Sequence, residues 1–170
     1  MYYLYKQNII PPRPTLSPGM IIEKRIPNSF VKDMHYMQMG KKRFWYFQLM
    51  TFLYRGFSRV FKEYDIIINN SIVSKAVLIS KVPLYQFLPA NGVHLCYCET
   101  IKEAQGKGYY PLLLSYIQND NPDMDLYMIV DETNYASIRG IEKAGFVYCS
   151  KIQKLSNGHF VYNNCLKFRK

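Results

Sequence analysis

A short glycine-rich turn near the middle of the chain has the residue types that hold a phosphate. Gly106, Lys107 and Gly108 follow a strand-like run and precede an apolar stretch with Pro111 in its first predicted helical turn. Glycines let the backbone come close to a ligand, and the free N–H groups at the start of a helix attract anions. The sequence therefore predicts a phosphate site at this turn.

Two common nucleotide-binding loops do not fit this turn. A Walker loop needs serine or threonine after its lysine, but Gly108 follows Lys107. A dinucleotide-binding loop needs a third glycine, and that position holds Pro111. A phosphorylated ligand of another class is therefore expected.

Two segments resemble the motifs of the GNAT superfamily of acyl-CoA-dependent N-acetyltransferases. The first is similar to motif A, Gln/Arg-x-x-Gly-x-Gly/Ala, except that Tyr110 takes the place of its last small residue. The second is similar to motif B, in which a strand is followed by Asn-x-x-Ser/Ala and then Glu-Lys-x-Gly-Phe. The matching residues are Gln105, Gly106, Lys107, Gly108, Tyr109 and Tyr110, then Asn134, Ser137, Glu142, Lys143, Gly145 and Phe146.

The resemblance implies acetyl-CoA as the co-substrate, without a metal. In this fold the coenzyme pyrophosphate lies on the amides at the helix start, and the pantetheine arm pairs with the end of the preceding strand. Motif B contributes residues near the thiol end. The expected coenzyme-binding residues are Cys98, Glu99, Thr100, Gln105, Gly106, Lys107, Gly108, Tyr109, Tyr110, Asn134 and Ser137.

The resemblance also indicates where a catalytic base would stand. In a histone-type branch of the family a carboxylate lies on this strand, eleven residues before the first motif A residue, and that position holds His94. A neutral imidazole can accept a proton from an ammonium group. Glu99 is the alternative base, although strand alternation puts it on the opposite face from His94 unless a bulge intervenes.

The group that assists the leaving thiolate is less well defined. Many family members have a tyrosine four residues after the motif B serine, but that position holds Ile141. A backbone N–H near Cys98 could instead stabilise the oxyanion. The side chains that could replace the tyrosine are Ser137, Tyr135, Tyr148 and Tyr162, of which Ser137 and Tyr148 are kept as candidate catalytic residues.

The cysteines predict neither a metal site nor a disulfide framework. Cys96, Cys98, Cys149 and Cys165 lack paired metal-ligand spacing, and buried reduced thiols are expected. Cys96 and Cys98 could also carry the acyl group as nucleophiles, but no paired base lies near them in sequence. The resemblance instead implies direct transfer to an amine.

The elements that position these residues follow from the hydrophobic pattern. A strand is expected at 20–26, helices over 30–62, and three antiparallel strands at 66–69, 72–82 and 93–101. A helix at 110–119, a strand at 126–130, a helix at 134–144 and strands at 146–155 and 160–168 follow. This order predicts an α/β (α+β) fold with a mixed, mostly antiparallel central sheet and helices on both faces, and the resemblance implies that this sheet is GNAT-like.

The first 19 residues are expected to lie outside the main domain. Residues 1–10 are extended in character, and a proline-rich connector follows them. This N-terminal arm could be an edge strand, or it could cross to a second copy in a homodimer. Residues 20–170 are then a single acetyltransferase-like domain.

The net charge and the lengths of the apolar runs limit which classes of partner are expected. A net charge of +10 attracts polyanions, but no run of five basic residues occurs, so nucleic acid is not the expected partner. The apolar run at 44–54 is too short for a bilayer, which needs ~20 residues, and no signal peptide is visible. A cytoplasmic protein that does not bind membranes is expected.

The acceptor is expected to be a small-molecule primary amine. The aromatic-rich helices at 30–62 and the turn at 84–91 would form its pocket. Their rings would suit stacking on a sugar or base, and the spare positive charge would suit a phosphorylated acceptor such as an amino-sugar nucleotide. Two alternatives remain. Ile141 and Tyr110 favour an idle acyl-CoA-binding or sensing domain, and the positive charge favours a nucleic-acid-binding protein.

Overall fold

The computed structural model describes residues 1–25, 49, 61–80, 88–89, 92–156 and 159–162. Within these ranges, eight strands form one sheet: β1 (Tyr2–Gln7), β2 (Met20–Arg25), β3 (Phe61–Ile68), β4 (Ser71–Ser80), β5 (Gly92–Thr100), β6 (Asp125–Asp131), β7 (Phe146–Lys154) and β8 (Phe160–Tyr162). The α-helices are α1 (Tyr109–Asp120) and α2 (Tyr135–Lys143), and a 3₁₀ turn spans Lys102–Ala104.

The strands lie in the order β2-β3-β4-β5-β6-β1-β7-β8, and every neighbouring pair is antiparallel except β5 with β6. The predicted α/β class with a mixed, mostly antiparallel sheet is therefore confirmed. Of the helices predicted over 30–62, the structure describes Leu49, which is helical as predicted, and, at their end, residues 61 and 62. There the prediction is wrong, because Phe61 and Lys62 begin β3.

Both described helices belong to one apolar cluster against the sheet. Leu113, Leu114 and Ile117 of α1 are fully buried there, together with Leu78 of β4 and Leu95 of β5. The spacing of three and four residues in α1 and of two in the strands puts these side chains on facing surfaces. Helices α1 and α2 thus cover the same face of the sheet. None of the described helices is long and apolar enough to cross a membrane.

Strand β1 lies inside the sheet, between β6 and β7. The prediction that this segment is an edge strand or an arm over a second copy is wrong for Tyr2–Gln7. Leu4 and Tyr5 are 0 % and 2 % exposed and belong to different apolar clusters. Because neighbouring strand residues point to opposite faces, burial of both requires cover on both faces.

Strands β5 and β6 separate soon after they begin to pair. Their parallel ladder joins Gly92, Val93 and His94 to residues 125–127 and extends no further. Beyond it, β5 runs on to Thr100 and β6 to Asp131. A wedge therefore opens in the sheet at the carboxyl ends of these two strands.

The inner position of β1 predicts a large cost for removing Leu4. Leu4→Ala should lower the free energy of unfolding by about 2–5 kcal/mol, because it leaves a cavity in a covered part of the sheet. Urea unfolding followed by circular dichroism measures this change. Ile9→Ala is the matched control, since Ile9 is 68 % exposed. Equal, small losses for the two variants would contradict the position of β1.

Candidate active site

The turn between β5 and α1, residues 105–108, has the backbone conformation that its two glycines predict. Gly106 and Gly108 have φ values of 76° and 82°, and a Cβ at either position would meet no atom within 4 Å. Glycine is therefore needed for its backbone freedom and not for lack of space. Gln105 holds the turn, because its Nε2 donates to the Thr100 carbonyl over 3.2 Å.

Helix α1 begins directly after this turn and presents its backbone donors to it. Its N-cap, Gly108, offers no side-chain hydrogen bond, and its first turn contains no acidic residue. The N–H groups at this end carry partial positive charge that favours an anion. The end of β5 and the start of α1 therefore have the backbone geometry that a phosphate site needs.

The start of α2 is fixed beside the end of β6 by two polar side chains. Asn134 caps the helix, because its Oδ1 accepts from the Ser137 backbone N–H over 3.1 Å. Asp131 accepts from the N–H and the hydroxyl of Thr133 over 2.9 Å and 2.7 Å, and these bonds lower its pKa. Asn134 therefore uses its oxygen to cap the helix, and its amide nitrogen can donate to other groups.

A cavity of about 760 Å³ lies between the turn, the end of β5 and α2. This volume is within the range of small-molecule pockets, roughly 300–1,000 Å³. Among the predicted coenzyme-binding residues, Lys107 is exposed and does not line the cavity. The others all line it: Cys98, Glu99, Thr100, Gln105, Gly106, Gly108, Tyr109, Tyr110, Asn134 and Ser137.

Two cations that the sequence analysis missed also line this cavity. Arg139 and Lys143 lie one turn apart on α2, and both are exposed at the rim. Their spacing of four residues within a predicted helix could have revealed them, since residues four apart lie on the same face of a helix. They add positive charge to the part of the cavity wall that α2 forms.

A bulge in β5 changes which face Glu99 occupies. The pairing with β4 shifts register between Lys75 and Val77, and Tyr97 has a positive φ of 50°. After the bulge Glu99 opposes Lys75, while before it His94 opposes Ile79. Because Lys75 and Ile79 are four apart on β4, His94 and Glu99 lie on the same face of the sheet.

Glu99 stands at the mouth of the cavity with a fixed partner. Its Oε2 lies 3.1 Å from Nζ of Lys75, which is 5 % exposed, whereas the Glu99 side chain is 62 % exposed. The buried ammonium group orients a carboxylate that remains accessible to a ligand. Glu99 therefore has the exposure and the position that a proton acceptor needs.

His94 has neither. It is 3 % exposed, does not line the cavity, and pairs in the last step of the β5–β6 ladder. Burial lowers the pKa of His94 to about 3, so the ring is neutral and weakly basic over the physiological range. These positions favour Glu99 over His94 as the base.

The thiols on β5 are poorly suited to nucleophilic attack. Burial raises the pKa of Cys98 to about 12 and that of Cys96 well above its ordinary value. Both therefore remain protonated, whereas the thiolate is the nucleophile. Cys149 is also a free thiol, and Cys165 lies outside the described residues. In the described part of the chain no three His, Cys, Asp or Glu residues are placed to hold a metal.

The tyrosines considered as proton donors all lie away from the cavity lining. Tyr135 is 67 % exposed, and Tyr148 packs edge-on against Tyr3 with ring centroids 5.4 Å apart. Tyr162 lies on β8, where burial raises its pKa to about 12. Ser137 is the only one of the four candidates that lines the cavity, and Ile141 is 1 % exposed in the core.

Tyr110, the residue that departs from motif A, spans from α1 to α2 across the cavity. A Cβ at Gly140 would lie 2.4 Å from its Cδ1 and 2.8 Å from its Cε1. Burial raises the pKa of the Tyr110 hydroxyl well above its ordinary value. The absence of a side chain at Gly140 therefore makes room for a bulky residue where the motif has a small one.

This contact predicts that Gly140→Ala destabilises the protein. Alanine normally gains up to about 1 kcal/mol over glycine inside a helix, but here its methyl group meets a buried ring and overpacking costs about 1–3 kcal/mol. Urea unfolding of Gly140→Ala, Tyr110→Ala and the double variant measures the coupling. In the Tyr110→Ala background the same substitution should be neutral or stabilising. A gain in stability beside an intact Tyr110 would contradict the contact.

Comparison with known proteins identifies the fold. No protein-family model matches the sequence, and no curated protein matches it either. An acetyltransferase of the GNAT family from Colwellia psychrerythraea has 12 % identity and a TM-score of 0.58, with 87 % of this chain and 52 % of that chain covered. A tandem GNAT protein from the clavulanic acid biosynthesis pathway has 11 % identity and a TM-score of 0.62, with 86 % and 50 % covered.

A third solved structure is nearer to this chain in length. The aminoglycoside acetyltransferase AAC(6')-Ib, in complex with coenzyme A and kanamycin, has 14 % identity and a TM-score of 0.60, with 84 % of this chain and 92 % of that chain covered. The present chain thus spans about half the length of the first two proteins and most of the third. At these identities the similarity concerns the fold. The chain has the fold of the GNAT acetyltransferases.

Proposed function

We propose that the protein is an acetyl-CoA-dependent N-acetyltransferase that transfers the acetyl group directly to a primary amine. The observation that supports this proposal most is that the glycine turn, the diverging end of β5 and the start of α2 line one cavity. It combines an anion site, an open strand edge and an accessible carboxylate. Each of these suits a different part of the reaction.

The coenzyme would lie along this cavity from the turn toward the wedge. Its pyrophosphate would accept hydrogen bonds from the amides around Gly106, Gly108 and Tyr109, where the helix end favours negative charge. Its pantetheine arm would pair with the backbone of Cys98 and Thr100, like an added strand. AAC(6')-Ib, which shares this fold, has been solved with acetyl-CoA bound.

The cations on α2 predict how coenzyme binding depends on charge. Arg139→Ala and Lys143→Ala should each raise the Kd of coenzyme A about threefold to tenfold, and the effect should shrink at high salt, because both groups are exposed. Isothermal titration calorimetry measures these constants. Lys154→Ala on β7 is the control, since Lys154 does not line the cavity. Unchanged affinity in both α2 variants would contradict this placement of the phosphates.

Glu99 is the group that would take the proton from the amine. After an ammonium group loses a proton to this carboxylate, its nitrogen lone pair attacks the thioester carbonyl carbon. The C–N bond forms, the C–S bond breaks with its electron pair on sulfur, and the nitrogen releases its second proton. Lys75 holds Glu99 in place, and a backbone N–H near Cys98 would donate to the oxyanion.

The charges beside Glu99 favour a cationic acceptor. On the face that Glu99 shares, Arg25 pairs with Glu63 and Asp65, and Asp65 lies opposite Lys75. Among the described residues this row, which also contains Glu23 opposite Asp65, has four carboxylates and two cations, so its net charge is negative. Kanamycin is bound to AAC(6')-Ib, and we propose an amino-sugar acceptor here too. The predicted acceptor segments at 30–62 and 84–91 lie largely outside the described residues.

Turnover on amines tests this function. A panel of amino sugars and other primary amines, with acetyl-CoA and detection of the released thiol, should show turnover on at least one acceptor. Glu99→Gln should then lower kcat about 10²–10⁴-fold, because the amide cannot take the proton. Glu103→Gln is the matched control, since Glu103 is exposed and outside the cavity lining. Full activity of Glu99→Gln would exclude Glu99 as the base.

A second function, an idle acyl-CoA-binding domain, is favoured by one specific observation. Many members of the family have a tyrosine at the position of Ile141. Here Ile141 is buried in the core and presents no polar group to the cavity. Tight binding of coenzyme A with no turnover across the amine panel would support this alternative. Loss of both binding and turnover would exclude the two functions together.

A further inference from the structure

We infer that Lys75 is a site of self-acetylation, at which the protein transfers an acetyl group from bound acetyl-CoA to its own side-chain amine when no acceptor is present. This inference rests on the proposed transferase function and goes beyond it, because it names a modification of the protein itself. The modified atom is Nζ of Lys75, and the reagent is an acyl thioester. The inference starts from the ion pair between Lys75 and Glu99.

This ion pair has the geometry that an acceptor amine would need. Nζ of Lys75 lies 3.1 Å from Oε2 of Glu99. That distance is within the range in which a general base can remove a proton, about 2.6–3.2 Å. An acceptor ammonium group would have to contact the same carboxylate. Lys75 is therefore a primary amine that already lies against the proposed base.

The pairing of β4 with β5 brings this lysine to the mouth of the cavity. Lys75 is the register partner of Glu99, just past the bulge at Tyr97, and Glu99 lines the cavity. One carboxyl group therefore separates Nζ from the space that the ligand would occupy. The lysine stem is four carbons long and flexible, so a small rotation of the side chain could bring Nζ to a thioester there.

Burial distinguishes Lys75 from other lysines near the turn and on α2. Lys75 is 5 % exposed, and Glu99 is the described carboxylate that forms a salt bridge with it. The other lysines are exposed, and they are Lys102, Lys107 and Lys143. An exposed ammonium group gives its proton to water, whereas Lys75 has a carboxylate beside it. Acetylation of Lys75 should therefore depend on Glu99, and acetylation of the exposed lysines should not.

The chemical step balances with acetyl-CoA as the co-reactant. Lys75 gives one proton to Glu99, and the nitrogen lone pair attacks the thioester carbonyl carbon. The C–N bond forms, the C–S bond breaks with its electron pair on sulfur, and the nitrogen loses its second proton while the thiolate takes up a proton. The products are acetyl-lysine at position 75 and free coenzyme A. Because the amine belongs to the same chain, no second molecule has to be bound and oriented.

Acetylation of Lys75 would alter the row of charges beside the site. An acetylated lysine has no positive charge, so it cannot form an ion pair with Glu99. Lys75 also lies opposite Asp65, which is fully buried and pairs with Arg25. The row would lose one of its two cations, and Glu99 would lose the partner that orients it. Protein that holds acetyl-CoA without an acceptor should therefore gradually lose its transferase activity.

Peptide mapping by mass spectrometry tests this inference without an acceptor. The full chain is incubated with acetyl-CoA, and acetylation is followed at each lysine. Lys75 should react about tenfold or more faster than Lys102, and Glu99→Gln should slow the reaction at Lys75 alone about 10²-fold. Glu103→Gln is the matched control, since Glu103 is exposed and outside the cavity lining. Acetylation of Lys75 no faster than of Lys102, or equally fast in Glu99→Gln, would overturn the inference.

Turnover after preincubation with acetyl-CoA is the second measurement. Wild type should lose turnover in step with acetylation of Lys75, and an acceptor amine present from the start should protect it. Lys75→Arg should keep whatever turnover it begins with, because acetyl-CoA does not acetylate a guanidinium group, and Lys102→Arg should behave like wild type. If wild type acetylates amines while Lys75 stays unmodified, only the inference fails. If wild type does not bind acetyl-CoA, the proposed function fails and the inference falls with it.

Discussion

The structure of this site depends on how briefly β5 and β6 pair. Adjacent parallel strands normally satisfy each other's backbone groups along their length, but this ladder ends at His94. The strands then diverge, and the β5 backbone at residues 98–100 faces a cavity. An exposed strand edge is a template for an extended ligand. The glycine turn and the two helix starts meet at the same opening, so an anion and an extended chain can be held together.

The bulge at Tyr97 determines which side chain stands at the opening of the cavity. A non-glycine residue at positive φ costs about 1–3 kcal/mol and persists only where the surrounding structure imposes it. Here the extra residue turns Glu99 to the face of His94 and next to Lys75. Without the bulge Glu99 would point toward the α1 side of the sheet. The local strain therefore accompanies the placement of the one exposed carboxylate at the cavity mouth.

Much of the fold and of the candidate site's local geometry could be predicted from the sequence, because local signals determined them. The periodicity of apolar residues predicted the strands and helices around the turn to within a few residues. Gly145 has a positive φ of 85°, as expected for a glycine that follows a helix. The glycine turn and the Asn134 cap are set by residues close in sequence. Such contacts are visible in a linear pattern.

The features that the sequence did not reveal all depend on long-range contacts. The inner position of β1 arises from pairing with strands more than a hundred residues away. The contact between Tyr110 and Gly140 joins two helices, so the motif comparison showed an irregular residue but not its compensation. From the sequence, the bulge could be named only as the condition under which Glu99 would share a face of the sheet with His94. Burial of His94, which argues against it as the base, likewise depends on packing across the sheet.

The most direct test of this account is a crystal structure of the protein with coenzyme A. The account predicts the pyrophosphate on the amides of residues 105–110, and the pantetheine arm in the wedge beside Cys98 and Thr100. Coenzyme bound elsewhere on the protein, or a wedge closed by Tyr110 with no density for the coenzyme, would contradict the central claim.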